Sequence, residues 1–268
     1  MKLTLRAQER AGDGKFKTVE KKAEWAPRET ALIIVDMWDA HWCKSAAARV
    51  VELAGPMNEM IKKARGKGVF IIHVPSSVVD FYKDTPQRKR ALAAPFARTK
   101  SQLSTADRWG TKWVWPDSSR EGDLPIDDSD MGCDCAVKCT IREAWTRQIS
   151  TIEIAEQDAI TDNGQEAFNL LAERGIKNVM IAGVHLNMCV LGRPVAIRQM
   201  VQQGKNIVLI RDMTDTMYNP EKKPFMSHFK GTELVVDHVE KYWCPTFLSS
   251  DITGGKAFAF SQNRSSGK

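Results

Sequence analysis

Four short, almost wholly apolar runs restrict what this chain can fold into: ALIIVD (31–36), VFIIHV (69–74), VMIAGV (179–184) and IVLIRD (207–212). A strand apolar on both faces must be buried on both faces, as in a parallel sheet covered by helices. Helical patterns lie between the runs. Val50, Ala54, Met57, Ile61 and Ala64 recur at helical spacing over 46–65, before Gly66 and Gly68. Ala167, Leu170 and Leu171 follow a capping Asp162 or Asn163 and stop at Gly175. Val190, Ile197, Met200 and Val201 mark a helix over 188–203, and another is expected near 231–241. TIEIAE (151–156) reads as a further strand and 245–248 as a short last one. The expected fold is a single α/β domain: three layers, a mostly parallel doubly wound sheet, helices on both faces. Its core is expected at about 29–75 and 150–250, with residues 1–25 and 254–268 as arms.

Between residues 76 and 149 the alternation fails. This stretch holds four of the eight tryptophans, a basic run (Arg88, Lys89, Arg90, Arg98) and the cysteine cluster GCDCAVKC (132–139). Such a long structureless loop is improbable in a compact domain. The reading is an excursion with short helices near 87–94 and 140–147, folded over the sheet edge or the active site. The basic run reads as a solvated face or a site for an acidic ligand. The net charge of +6 favours solubility and attraction of anions but is no nucleic-acid signature. No run approaches the length of a membrane span, and the start has no apolar signal core. The expected location is cytoplasmic, with export through a removed signal peptide as the alternative. The C-x-C-x3-C run is compatible with zinc but lacks an obvious fourth ligand; a local disulfide or free thiols are the other readings.

Ligands in open parallel sheets bind beyond the carboxyl ends of the strands. Those ends carry Asp36, His73, Glu156 with Asp158, the segment GVHLNMC, and Asp212. Cys189 follows a strand at the start of a helix, where the dipole and free N–H groups are expected to lower a thiol pKa and hold an oxyanion. Asp36 ends an apolar strand, so it needs a partner; its sharpest use is as a general base for the thiol. Trp38, His41, Trp42 and His73 are candidate pocket residues. Arg193, four residues after Cys189, is a candidate partner of Glu156 or of a substrate carboxylate.

LIIVDMW (32–38) and GVHLNMCV (183–190) resemble the two signature segments of the isochorismatase-like cysteine hydrolases, whose relatives include nicotinamidases and N-carbamoylsarcosine amidases. The resemblance covers roughly 29–75 and 150–215. DMWDAHWC, GCDC…AWTRQ and SHFKGTELVVDHVEKYWCP look like a less characterised branch. The resemblance implies an Asp–Lys–Cys triad, of which Asp36 and Cys189 match. At the lysine position stands Glu156; no lysine occurs between Lys138 and Lys177. A third acid there needs a cation, from Arg193, Lys100, Lys112 or a metal, or one carboxyl must stay protonated. The resemblance further implies a cis peptide before His185, with the N–H groups of His185 and Cys189 forming an oxyanion hole. It also suggests a metal held by Asp39, His41 or His73, although no cofactor is the preferred reading. The expected activity is hydrolysis of a small amide or carbamoyl group through a thioester. The alternative is a non-catalytic small-molecule-binding protein on the same scaffold. A small-molecule substrate and a homo-oligomer are expected, the latter with part of residues 75–150 against a neighbour, and neither nucleic acid nor membrane is an expected partner.

Overall fold

The computed structural model describes residues 1–12 and 14–265. The chain begins with a hairpin, β1 (Lys2–Arg10) and β2 (Phe16–Glu24), then β3 (Thr30–Val35), α1 (Lys44–Gly66) and β4 (Phe70–Val74). The excursion holds α2 (Pro86–Ala93) and the small hairpin β5 (Asp107–Arg108) and β6 (Thr111–Lys112). β7 (Ala159–Ile160), α3 (Gly164–Glu173), β8 (Asn178–Val184), α4 (Cys189–Gly192), α5 (Ile197–Gln202) and β9 (Asn206–Asp215) follow. α6 (His228–Tyr242), β10 (Thr246–Phe247), α7 (Ser250–Thr253) and α8 (Ser261–Ser265) complete it.

The main sheet runs β2-β1-β10-β9-β8-β3-β4-β7. From β10 to β7 every pairing is parallel; β1 and β2 add antiparallel strands at one edge. β3 is buried along its whole length, as its uninterrupted apolar sequence requires. Ala31, Ile33 and Val35 pack on one face with Leu170, Leu171, Ile197, Val235 and Val239 of α3, α5 and α6. Leu32 and Ile34 pack on the other with Leu53, Met57 and Ile61 of α1 and Ile252 of α7. That is the three-layer arrangement the alternation requires.

Four expectations are corrected. Residues 1–25 are not an arm: β1 and β2 pair over their full length, and Leu3 is buried in the core. Lys17, Lys21 and Lys22 on the outer strand blunt the open edge against further pairing. Of the other expected arm, residues 254–265 are described, with Phe260 buried, and 266–268 lie outside the described residues. Residues 151–156 form no strand. Their backbone groups are satisfied by side chains instead: Asn58 accepts from the Glu153 N–H, Asp158 from that of Ala155, and Arg90 donates to the Glu156 carbonyl. The edge strand comes later, at Ala159–Ile160. Residues 140–147 form no helix, because Asp39 binds the N–H groups of Thr146 and Arg147 and holds the chain extended. The helix expected over 188–203 is split by Pro194, which forces Arg193 into extended backbone (ψ 151°) between α4 and α5.

The excursion folds back on its own subunit. Trp113 is buried, and Trp109 and Trp145 pack against the core, while Trp115 stays half exposed at 51%. Arg88 pairs with Glu166, and Arg90 donates to the carbonyls of Glu156 and Asp158, so part of the basic run binds the chain itself. No helix among the described residues is long and apolar enough to cross a membrane.

Candidate active site

At the carboxyl ends of β3 and β8 the structure brings together Asp36, Cys189 and Arg193. Asp36 is the residue after β3, with a positive φ of 51° that turns the chain sharply out of the sheet. Its carboxylate is fully buried. One oxygen accepts from the Ser76 N–H at 2.8 Å; the other lies 3.5 Å from Arg193 Nε. The Cys189 thiol lies beside both and interacts with the Asp36 carboxyl and the Arg193 guanidinium. Arg193 is 1% exposed, and the Pro194 break aims it inward. Its remaining N–H groups donate to the carbonyls of Arg108 (3.1 Å) and Trp109 (3.3 Å). The excursion thus clamps the cation from above.

The electrostatics follow from this packing. Burial raises the Asp36 pKa; the Arg193 charge and the bonds from Ser76 and Cys189 pull it back only in part. The Cys189 thiol is pushed up as well, first by burial and then by the Asp36 charge, with Arg193 opposing. This corrects the expectation of a lowered thiol pKa. α4 has only four residues and the site is buried, so the desolvation of a thiolate outweighs the helix end. The resting state is therefore a protonated thiol facing a buried carboxyl group, beside a fixed cation.

Glu156 is not the residue at the lysine's place. Its side chain is exposed, and only its backbone carbonyl is engaged, by Arg90. Arg193 brings the cation, from the other side of Cys189 in sequence. Lys112 pairs with Asp107 at the surface, and Lys100 lies against Gly204. His73 does not line the pocket: it is fully buried between Gln148 (3.0 Å) and Asp158 (3.1 Å), and Asp158 also pairs with Arg65. Asp212 is likewise elsewhere, holding Ser249 and the Phe258 N–H, because β9 runs on three residues further to Asp215. Asp39 is engaged with Thr146 and Arg147. Asp39, His41 and His73 therefore do not converge on a point, and they do not fit a shared metal.

A pocket of about 270 Å³ opens above the thiol. Trp38 and Trp145 stack at 4.4 Å on one wall, with His41 parallel to Trp145 at 5.7 Å. Trp42 and Trp109 and the thioethers of Met131, Met188 and Met217 complete an apolar lining. Polar groups are few: Ser77, Arg142, Glu143, His185 and the Cys189–Arg193 floor. His41 Nδ1 accepts from the Cys43 N–H, and burial brings its pKa down to about 4, so the ring is neutral. Burial, and next the nearness of His41, whose own protonation would compete, hold His185 well below the ordinary value. His185 Nε2 is buried and has no protein partner. The Val184–His185 peptide is cis, as the signature implies. Cys189 opens α4, so its N–H has no acceptor within that helix.

Trp109, Met131 and Trp145 are not legible in the sequence as pocket residues, because the excursion has no periodicity from which to place them; Met217 lies in the irregular chain just after β9. The one signal is the excursion's content of bulky apolar residues in a stretch that builds no regular element.

No protein-family model and no curated protein matches this chain. Solved structures do. A cysteine hydrolase from Pseudomonas syringae pv. phaseolicola superposes with a TM-score of 0.52 at 16% identity, over 86% of this chain and 94% of that one. An isochorismatase from Pseudomonas putida KT2440 gives 0.49 at 12% identity, over 85% and 92%. At such identities the first likeness speaks for the fold alone.

Proposed function

We propose that this chain, which has the fold of the isochorismatase-like hydrolases, hydrolyses a small, largely apolar amide or carbamoyl compound by covalent thiol catalysis. The observation that carries the reading is the contact of the Cys189 thiol with Asp36 and Arg193 at the floor of an aromatic pocket. Asp36 takes the thiol proton as sulfur attacks the carbonyl carbon. The raised pKa of Asp36 makes it a better base than an ordinary carboxylate. The N–H groups of His185 and Cys189 receive the oxyanion. Collapse of the tetrahedral adduct expels the amine, which leaves with the proton from Asp36 and gives a thioester. Asp36 then draws a proton from water, hydroxide adds to the thioester, and the acid departs as the thiol is reformed. Arg193 steadies whichever of the two acids is ionised. The apolar lining favours a flat or aliphatic substrate body, and the unpartnered His185 Nε2 offers it one hydrogen bond.

The non-catalytic reading rests on the missing lysine. Arg193 supplies a cation in contact with both acids, which removes that motive. The test is intact-mass analysis after brief incubation with a panel of small amides and carbamoyl compounds. An acyl adduct confined to Cys189 and missing in Cys189→Ala is expected. A panel that is bound, by calorimetry, yet neither acylates nor turns over would make the protein a binder.

A further inference from the structure

Away from the pocket floor, four of the six cysteines gather at the start of α1. Cys43 is the residue before that helix; Cys133 and Cys135 come from the excursion, about ninety positions later. The sulfurs of Cys43, Cys133 and Cys135 all lie within 4.8 Å of one another, and Cys43 to Cys135 is 3.8 Å. The Cys139 thiol stands on the solvent side near those of Cys133 and Cys135, outside this close group and turned to the Val137 carbonyl at 3.9 Å, so an ion would draw it in. A tetrahedron of sulfurs at about 2.3 Å from a zinc ion has edges of about 3.8 Å.

We propose that Cys43, Cys133, Cys135 and Cys139 bind one zinc ion as a structural tetrahedral site. Cys43 is the fourth ligand that the C-x-C-x3-C run lacks on its own. The surroundings suit a thiolate cluster. Ser45 directs its N–H (3.3 Å) and its hydroxyl (3.1 Å) at the Cys135 sulfur, the outer hydrogen bonding that orients metal ligands. The N-terminus of the 23-residue α1 faces the group and offsets its negative charge. The turn carrying the ligands is fixed before any ion binds. Asp134, between two of them, pairs with buried Arg49 at 2.7 Å. Gly132 (φ +66°) lies so close to Met217 that a Cβ would come within 2.2 Å of its carbonyl group. The ion would tie to α1 the segment that contributes Met131 and Trp145 to the pocket. The site does not depend on the hydrolase reading.

The experiment is elemental analysis of the full-length protein, purified from zinc-supplemented cells and dialysed against metal-free buffer. About one zinc per chain is expected. Cys135→Ser and the more exposed Cys139→Ser should each lower retained zinc at least about tenfold, with Glu156→Gln unchanged. Zinc-edge X-ray absorption should show a shell of sulfurs at about 2.3 Å. Three results would overturn the proposal: zinc-free protein whose thiols are all titratable, an intact mass showing a disulfide in the cluster, or iron bound in place of zinc.

Discussion

Asp36 and Asp215 are the same residue type, both fully buried, each at the carboxyl end of a central strand and each beside an arginine. They end in opposite electrostatic states. At Asp215, burial pushes the pKa up, but Arg49 at 2.7 Å and His228 at 2.8 Å pull it far below the ordinary range. At Asp36 the cation stands off at 3.5 Å, the cysteine adds an acid rather than a charge partner, and burial wins. Coulomb energy falls with distance, while the desolvation of a buried carboxylate does not. Less than an ångström of separation and one further basic side chain thus divide a locked anion from a group able to take up a proton.

Asp36→Asn should do most to break this pairing if it is wrong. Amide turnover should fall by about 10²–10⁴-fold, the loss typical of a missing general base. Thermal stability should hold or rise, because a poorly solvated charge is removed. A fall in melting temperature comparable to that of the next variant would make Asp36 a structural anion too.

Asp215→Asn should lower unfolding free energy by about 3 kcal/mol, since it breaks a buried ion pair and leaves Arg49 with Asp134 as its one carboxylate partner; urea denaturation measures this. The sign with pH follows. A carboxylate whose folded pKa is depressed contributes stability that is present above its unfolded pKa of about 3.9 and lost as pH falls through the folded value. The variant should therefore show a smaller loss of stability on acidification than the wild type.

Arg193→Met tests the cation itself. Arg193 lowers the pKa of both Asp36 and Cys189, so its removal should raise both. The pH profile of Cys189 alkylation by iodoacetamide should move to higher pH by about one unit, a tenfold slower reaction at fixed pH. Arg193→Lys should recover part of the shift. Glu156→Gln sets the lower end: stability within about 0.5 kcal/mol of wild type and an unchanged alkylation profile.

Half of the Asp36–Asp215 contrast is legible in the amino-acid sequence. Asp36 closes an apolar strand whose period and length are unambiguous, and Cys189 follows another. Asp215 is not legible in this way, because the apolar signal of β9 fades at Arg211 and the strand continues through a bulge in its pairing with β8. The source of the cation is hidden for a related reason. Spacing to Cys189 points to Glu156, but residues 151–156 have an alternation that looks like a strand and is satisfied by side chains instead. Arg193 stands out by its place on a helix face, yet its reach depends on Pro194 ending that helix. The hairpin at 1–25 escapes a sequence reading because its strands are charged on the outside and bury few residues, a pattern that reads as solvated chain. Pocket walls from the excursion need tertiary contacts that leave no local trace.

The break at Pro194 has a kinetic consequence. A lysine beside a thiol and a carboxylate is a third exchangeable proton, and its own titration would blend into theirs. A guanidinium held by two backbone carbonyls keeps its charge throughout the range in which the protein is folded. Protonation of the reactive centre then reduces to that of sulfur and carboxylate, against a constant positive background. Above the range in which His41 titrates, its rate–pH curve should be a two-group curve, and a third inflection there would report on the substrate.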